Sequence, residues 1–201
     1  MFLVYWWPME LETKRLILRK PKKGDWKDLV EGVAEFDVAK MTKAIPHPYH
    51  EEDAKSFIKI LIKRWLSGKD YTFLLELKSE KKVIGAMAIS NINQLNGTAS
   101  TGSWINKKYW KKGYITEAKI AVNDFAFSQL GLRRLDSTVF TDNKASNATQ
   151  QKIGYKFEGM KRKATKSKST GKIHDVNVYG LLKSDWKKAR GGLIREAKKF
   201  L

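Results

Sequence analysis

One short stretch lies between a segment of strand character and a segment of helical character, and it reads Tyr109-Trp110-Lys111-Lys112-Gly113-Tyr114-Ile115-Thr116. The first N–H groups of a helix have no partners within the helix and lie at the positive end of its dipole, so together they attract anions. Gly113 lets the backbone approach a ligand closely. Positive charge is added by four neighbouring lysines: Lys107, Lys108, Lys111 and Lys112. The stretch therefore favours a phosphate or pyrophosphate site at the start of the helix.

The same local sequence is also compatible with a solvated, lysine-rich turn, and the stretch alone does not separate the two interpretations. A Walker-type loop is excluded because its glycine and Lys-Ser/Thr spacing is absent. The glycine pattern of a Rossmann fold is absent as well. The pattern of the remaining chain has to decide between a phosphate site and a turn.

Outward from this stretch, hydrophobic periodicity predicts seven strands and five helices. The predicted strands cover residues 16–19, 71–77, 83–90, 98–105, 134–140, 155–162 and 173–182. The predicted helices cover residues 26–36, 51–66, 116–130, 143–153 and a tail from residue 184 that is interrupted at Gly191-Gly192. This order is neither a strict alternation of strands and helices nor all strand. It predicts an α+β fold with a mixed sheet and helices on both faces, in α/β/α layers.

The length and composition are typical of one globular domain, with 201 residues, 42% of them apolar and 30% charged. We expect an apolar extension over residues 1–9, a single domain over 10–188 and a basic helical tail over 189–201. The absence of cysteine excludes disulfides, thiolate metal sites and a cysteine nucleophile. His47 and His50 lie in a loop without evident partners for a metal, so we predict no metal site.

The net charge of +19 suits an anionic partner such as a phosphate-rich cofactor, RNA, a ribosome surface or an acidic protein. No apolar run approaches the length of a membrane span. The apolar start of the chain lacks the basic leader and the small-residue cleavage site of a secretion signal. We therefore expect a cytoplasmic protein without membrane contact, present as a monomer or a homodimer.

Further motifs follow one another in order along the chain. They are Glu12-Thr13-Lys14-Arg15-Leu16-Ile17-Leu18-Arg19, Gly102-Ser103-Trp104-Ile105, Leu130-Gly131-Leu132-Arg133-Arg134, Asn143-Lys144-Ala145-Ser146-Asn147, Lys152-Ile153-Gly154-Tyr155 and His174-Asp175-Val176. Together with residues 109–118, they closely resemble the GNAT family of N-acetyltransferases, and best its RimJ/RimL branch of ribosomal-protein-alanine N-acetyltransferases. The resemblance covers about residues 10–188, and the consistent spacing of several motifs makes it specific.

The resemblance implies a mixed, mostly antiparallel sheet of about seven strands that is splayed between strands 4 and 5, which are residues 98–105 and 134–140 here. Acetyl-CoA would lie in that V, with no metal. Main-chain groups of three residues would pair with its pantetheine arm, namely Trp104, Ile105 and Asn106. The pyrophosphate would be held by Lys111, Lys112, Gly113, Tyr114, Ile115 and Thr116. Asn143 would position the pantetheine, and Lys152 is included among the cofactor-binding residues.

Two positions of the loop depart from the family's pattern. The family usually has Gly where Lys111 stands, and Gly or Ala where Ile115 stands. Ile115 weakens cofactor binding if its side chain points at the pyrophosphate, and it costs nothing if the side chain points into the core. Lys111 is able to add a phosphate contact in place of the glycine.

Acetyl transfer from a thioester needs a neutral amine, a polarised carbonyl and a proton for the leaving thiolate. The resemblance makes Ser146 the candidate general acid and Asn143 the second candidate catalytic residue. Asn and Ser at a helix start are also ordinary caps, so capping alone is the alternative for Ser146. Some relatives carry a glutamate base where Thr165 stands, which leaves Asp175, His174 or a relayed water as candidates for the base. A structural hydrogen bond that holds the last strand is the alternative for Asp175.

Residues 161–172 contain six basic residues and no acid. In the family's fold this connection borders the acceptor side. It therefore favours an acidic acceptor, such as a protein N-terminus near carboxylates or one presented on RNA, and it disfavours a polyamine. A solvated turn is the alternative. We expect an N-acetyltransferase that acts on a protein N-terminal amine; two other functions stay open, acetylation of a small-molecule amine and a degenerate GNAT scaffold that binds RNA or the ribosome.

Overall fold

The computed structural model describes residues 10–199, so the predicted extension over residues 1–9 lies outside the described residues. The strands are β1 (Glu10–Glu12), β2 (Leu16–Arg19), β3 (Tyr71–Leu77), β4 (Lys82–Asn93), β5 (Thr98–Ile105), β6 (Arg134–Phe140), β7 (Lys156–Lys166) and β8 (Ile173–Leu182). The helices are α1 (Trp26–Val33), α2 (Phe36–Ala39), α3 (Glu51–Leu66), α4 (Tyr114–Asp124), α5 (Lys144–Ile153) and α6 (Lys183–Lys199). A 3-10 helix over Lys107–Tyr109 precedes α4, and a π-helix over Phe125–Gln129 continues it.

The strands form one sheet in the order β1-β2-β3-β4-β5-β6-β8-β7. All neighbours are antiparallel except β5 and β6, which are parallel. These two strands pair only through Thr98–Arg134, Ala99–Leu135 and Ser100–Asp136. Beyond the last pair the two strands diverge. Residues 101–105 of β5 and 137–140 of β6 therefore form no strand pairing with each other and line a V-shaped opening, the V. The α+β fold, the mixed and mostly antiparallel sheet, and the splay are confirmed.

The sheet has one strand more than the periodicity predicts. Residues 10–12 form β1, in which Leu11 lies opposite Leu18 of β2. A strand of three residues is too short to carry a periodic pattern, and pairing with β2 is what makes it a strand. The splay between the fourth and fifth predicted strands therefore falls between β5 and β6.

Two hydrophobic clusters lie on opposite faces of the sheet. Alternate residues of β3 belong to different clusters, with Phe73 and Leu75 on one face and Leu74 on the other. The larger cluster is covered by α4, the π-helix, α5 and α6, and the smaller one by α1 and α3. Helices therefore cover both faces, as predicted.

The C-terminal helix corrects the sequence-based prediction of an interruption. α6 runs through Gly191 and Gly192 without a break. Trp186 and Leu193 on either side are buried in the main cluster, and this packing outweighs the low helix propensity of two glycines. The predicted division at residue 188 lies inside α6 and stays a prediction. Among the described residues, no helix combines the length and the apolar character that crossing a bilayer requires.

The close contact between β4 and β5 at Gly85 allows the packing of these two strands next to the V to be tested. A Cβ at Gly85 would lie 2.5 Å from the carbonyl oxygen of Trp104 and 3.0 Å from Cα of Ile105. Both atoms belong to the backbone, so no side-chain rotation relieves the clash. We expect Gly85→Ala to lower the free energy of unfolding by about 2 kcal/mol, measured by urea denaturation. The control is Gly102→Ala on β5, where an added Cβ meets no described atom within 4 Å. Equal stability of the two variants would contradict this packing.

Candidate active site

The loop that leads into α4 has the geometry of an anion site. Gly113 is the N-cap of α4 and has a φ of 79°, a left-handed conformation that glycine adopts at little cost. The first-turn hydrogen bond of the helix runs from the N–H of Glu117 to the carbonyl of Gly113 at 3.0 Å. Within residues 10–199, the N–H groups of Tyr114, Ile115 and Thr116 donate to no other residue. These free donors, at the positive end of the helix, are what an incoming phosphate requires.

The two unusual residues of this loop are accommodated differently. Lys111 has a φ of 61°, a left-handed backbone conformation that glycine adopts most readily, which fits the glycine that the family pattern leads us to expect here. A lysine holds this conformation at a cost of about 1 kcal/mol. Lys111 is exposed and forms no ion pair within the described part of the chain. Ile115 is partly buried and packs against the main hydrophobic cluster, so its bulk is directed into the protein.

Arg15 holds the phosphate loop from the turn between β1 and β2, a role that the sequence did not predict. Its Nη1 donates to the carbonyl of Lys112 at 2.9 Å, and its Nε donates to Oε2 of Glu117 at 2.7 Å. Its guanidinium carbon lies 4.3 Å from the centre of the Tyr114 ring. Glu117 is buried and also accepts a hydrogen bond from the Thr13 hydroxyl at 2.6 Å. Arg15 and Glu117 are 102 positions apart, and the fold brings the motif around Arg15 next to the start of α4.

Hydrogen-bonded side chains close the apex of the V, where strand pairing ends. The Ser137 hydroxyl donates to the carbonyl of Thr101 at 3.4 Å and accepts from Nε2 of Gln150 at 2.7 Å. The Thr101 hydroxyl lies 3.0 Å from the Tyr155 hydroxyl. Lys119 of α4 is buried behind them and donates to Oε1 of Gln150 at 3.2 Å. Burial lowers the pKa of Lys119 to about 8. A polar network therefore replaces the missing strand ladder at this point.

The predicted pantetheine-binding segment begins at the end of β5. The N–H of Asn106 donates to the carbonyl of Ile84 at 2.8 Å, and its buried side chain accepts from the N–H of Lys108 at 3.0 Å. The carbonyl of Ile105 accepts from the Trp110 indole at 2.9 Å. These main-chain groups of Ile105 and Asn106 therefore already have partners. On the side facing β6, the edge from Thr101 to Trp104 has no strand partner, and pairing with pantetheine stays a prediction.

Asn143 and Ser146 lie at the start of α5, beyond the end of β6. The Asn143 side chain accepts from the N–H of Ser146 at 3.1 Å, so Asn143 is the cap. The capping alternative for the Ser146 hydroxyl is therefore wrong. That hydroxyl is half-buried and, among the described residues, makes no hydrogen bond. Asn147, another member of the motif, donates to the carbonyl of Phe140 at 3.0 Å and accepts from the Tyr179 hydroxyl at 2.8 Å, which fixes the end of β6.

The candidates for a general base are held in structural contacts. Oδ1 of Asp175 accepts from the N–H of Lys163 at 2.7 Å, where β7 bulges away from β8. This bond supports the structural alternative for Asp175. The His174 ring stacks on Phe140 with centroids 4.1 Å apart, and its Nε2 is buried without a partner among the described residues. Thr165, which lies opposite His174, has no group that could act as a base.

Lys152 is not joined to the phosphate loop by any polar contact of the described residues. It lies in the last turn of α5, and its Nζ is paired with Oε1 of Glu196 at 2.6 Å. Its predicted role in cofactor binding stays a prediction. The described part of the chain contains no group of three or more His, Asp or Glu side chains placed to hold a metal ion.

Comparison with known proteins identifies the family. Residues 15–156 match the acetyltransferase (GNAT) domain, and the chain belongs to this family. The uncharacterised N-acetyltransferase YoaA of Bacillus subtilis is 30% identical over 86% of this chain and 96% of its own length. The ribosomal-protein-serine acetyltransferase of Escherichia coli is 26% identical over 64% of this chain and 70% of its own length. The fold matches RimJ of Mycobacterium smegmatis, solved with CoA-disulfide, with a TM-score of 0.83 at 18% identity, covering 96% of each chain.

The protein is therefore an acetyl-CoA-dependent N-acetyltransferase, and its sequence is similar to that of a ribosomal-protein-serine acetyltransferase. The residues present fit acetyl-CoA at two points. The free N–H groups at the start of α4 suit a pyrophosphate, and the unpaired edge of β5 suits an extended, amide-containing arm.

Loss of the Arg15 contacts should loosen the phosphate loop. We expect Arg15→Met to weaken CoA binding about 10-fold by calorimetry, because the carbonyl of Lys112 and Oε2 of Glu117 both lose the hydrogen bond that the guanidinium donates. Arg190→Met is the matched control, since Arg190 pairs with Asp124 and makes no polar contact with the loop. CoA affinity equal in the two variants would exclude a role for Arg15 in holding the site.

Proposed function

We propose that this N-acetyltransferase moves the acetyl group to the N-terminal amine of a protein, with a ribosomal-protein-like, acidic N-terminus as acceptor. The acceptor amine attacks directly in a ternary complex, in the cytoplasm, where both substrates occur. The names of the relatives support a protein acceptor: one is a ribosomal-protein-serine acetyltransferase, and a structural neighbour is RimJ.

The observation that carries the acidic acceptor is the position of the basic hairpin, residues 161–172, which comprise the end of β7 and the turn before β8. The side chains of its six basic residues are all exposed, and none of these side chains is paired with a carboxylate within residues 10–199: Lys161, Arg162, Lys163, Lys166, Lys168 and Lys172. The turn is attached to residues 41–43, with Ser167 Oγ donating to the carbonyl of Thr42 at 3.3 Å. Residue 41 in turn accepts from Nδ2 of Asn143 at 3.5 Å. The basic hairpin therefore borders the end of the V at which Asn143 and Ser146 lie.

The choice of amine follows from the groups around that end. Asp175 is engaged in a structural hydrogen bond, and Thr165 stands where some relatives carry a glutamate. An acceptor with a larger neutral fraction at physiological pH depends less on a strong base. With a pKa near 8, about a tenth of N-terminal amines are neutral at pH 7, against fewer than about one in a thousand ordinary lysines. This difference favours an N-terminal amine over a lysine side chain.

The roles of the chain's own residues follow from their contacts. The free N–H groups at the start of α4, with Lys111 and Lys112, would hold the pyrophosphate, and the edge of β5 would align the arm. Acetyl-CoA, when bound, supplies the activated acetyl group. The unengaged Ser146 hydroxyl would give its proton to the leaving sulfur. Asn143 would position Ser146 by accepting a hydrogen bond from the N–H of Ser146.

Replacement of Ser146 tests the proposed acid. We expect Ser146→Ala to lower kcat about 10-fold or more, because the departing thiolate loses its proton source, and to leave CoA affinity within about 2-fold. Thr149→Ala on the same helix is the control, because the Thr149 hydroxyl already donates to the carbonyl of Ala145 at 2.8 Å. Unchanged kcat on the preferred acceptor would remove Ser146 from the mechanism.

An acceptor screen tests the substrate class. Labelled acetyl-CoA should be offered with acidic and basic N-terminal peptides, polyamines and small-molecule amines, and we expect the acidic peptides to be preferred. The double variant Lys168→Glu/Lys172→Glu should raise KM for an acidic peptide roughly 10-fold at low salt, whereas exposed Lys59→Glu on α3 should not.

Three outcomes would contradict the proposal. Preference for a polyamine or an antibiotic amine would make the chain a small-molecule acetyltransferase. Acetylation of peptides without regard to charge would remove the role of the basic hairpin. Salt-sensitive RNA binding without CoA binding would favour a degenerate scaffold.

A further inference from the structure

Lys43 brings a primary amine of the chain itself to the V. Its Nζ donates to the hydroxyl of Thr138 at 2.8 Å. Thr138 is the second residue of β6 beyond the last pair with β5, so it belongs to the diverging part of the strand. The described part of the chain gives Lys43 no carboxylate partner, and the residue is exposed. The amine therefore stands beside the V, while part of the residue's surface stays in contact with solvent.

The backbone around Lys43 is held on two sides. The carbonyl of Lys43 accepts from the N–H of Lys168 in the basic hairpin at 3.1 Å. The carbonyls of the two preceding residues are held as well. That of Met41 accepts from Nδ2 of Asn143 at 3.5 Å, and that of Thr42 accepts from the Ser167 hydroxyl at 3.3 Å. A lysine on a free loop would sample many positions, whereas these contacts point this side chain at β6.

We propose that Lys43 is an acetyl acceptor of its own active site, so that the enzyme acetylates itself at this position when acetyl-CoA is bound and no other acceptor is present. The neutral Nζ attacks the thioester carbonyl, the N–C bond forms, and the C–S bond breaks. The proton lost from Nζ ends on the sulfur, so the products are Nζ-acetyl-lysine and CoA. The inference rests on acetyl-CoA binding in the V and is independent of the external acceptor proposed above.

The chemical state of the amine supports this assignment. Partial burial of the ammonium group lowers the pKa of Lys43 from its usual value, which increases the fraction of the nucleophilic neutral form. Neighbouring lysines have carboxylate partners, which Lys43 lacks among the described residues. Lys40 is paired with Asp37, and Lys107 is paired with Glu35 and Asp37.

The consequence of the modification follows from the contacts. Acetylation removes the charge and the ammonium donors of Lys43 at the border of the basic hairpin. It leaves a neutral amide whose bulk lies beside Thr138. The modified enzyme would therefore present a less positive and narrower acceptor side. Acetylation of Lys43 would thus slow the enzyme's turnover of other acceptors.

The direct test is mass spectrometry of the full-length protein after incubation with acetyl-CoA and no acceptor. We expect one acetyl group per chain, mapped to Lys43 by digestion, at a rate independent of protein concentration. Lys43→Arg should abolish it, and Lys40→Arg, the matched control, should not. Thr138→Val keeps the size of the side chain but removes the hydrogen bond, and should slow the modification roughly 2- to 10-fold.

The heat-denatured chain with the same acetyl-CoA measures uncatalysed chemistry. Acetyl groups spread over exposed lysines at the denatured rate, or no acetyl group at Lys43, would overturn the proposal. The acceptor screen described above distinguishes failure of the self-acetylation proposal from failure of the proposed function. Peptide acetylation with unmodified Lys43 would overturn only the self-acetylation, and a modified Lys43 with no peptide acetylation would overturn only the acceptor.

A second measurement needs no acetyl transfer by the enzyme. A water-soluble amine-reactive ester labels each lysine according to its accessibility. We expect saturating CoA to slow labelling of Lys43 several-fold and to leave Lys40 unchanged, since only Lys43 contacts the diverging part of β6. Equal protection of both lysines would contradict the placement of Lys43 at the V.

Discussion

The structure depends on one interruption of backbone pairing, the parting of β5 and β6 after Ser100 and Asp136. Backbone N–H and C=O groups that lose their partners must find others, from protein, water or ligand. At the apex the polar side chains around Ser137 and Gln150 close the gap. Farther out the edges stay open, and an extended, amide-containing ligand can take the place of the missing strand.

Because β5 and β6 are parallel, the helices that follow them begin at the same edge of the sheet. α4 begins at Tyr114 after β5, and α5 begins at Lys144 after β6. Two positive helix ends therefore border one V. They differ in their contacts: the N–H groups at the start of α4 are free, whereas Asn143 caps α5 and leaves the Ser146 hydroxyl unengaged among the described residues. Our proposal places donor binding at the first and proton delivery at the second, on the two sides of the same opening.

Positive side chains without ion-pair partners lie at this opening. Many lysines elsewhere are paired, as Lys82 and Lys108 are with Glu31. The side chains of the basic hairpin form no ion pairs among the described residues. Its turn is hydrogen-bonded to the carbonyls of residues 42 and 43, and these bonds hold the backbone that places Lys43 next to β6. One set of contacts therefore links the attraction of an acidic acceptor to the amine that we propose is modified.

The family followed from the resemblance carried by several motifs in order, and the mixed sheet with helices on both faces followed from hydrophobic periodicity. The sequence also indicated an anion site at Gly113, because a glycine before a helix start lets the backbone approach a phosphate. It also indicated Ser146 and Asn143, but capping and catalysis have the same local signature, and the division of labour required the hydrogen bond between them. The remaining features depend on the tertiary structure. Arg15 holding Glu117, β1 pairing with β2, α6 passing through two glycines and Lys43 reaching Thr138 all join parts of the chain, or depend on packing, that no local pattern encodes. Their common physical reason is that contacts between residues distant in sequence are specified by the completed core and not by the residues next to them.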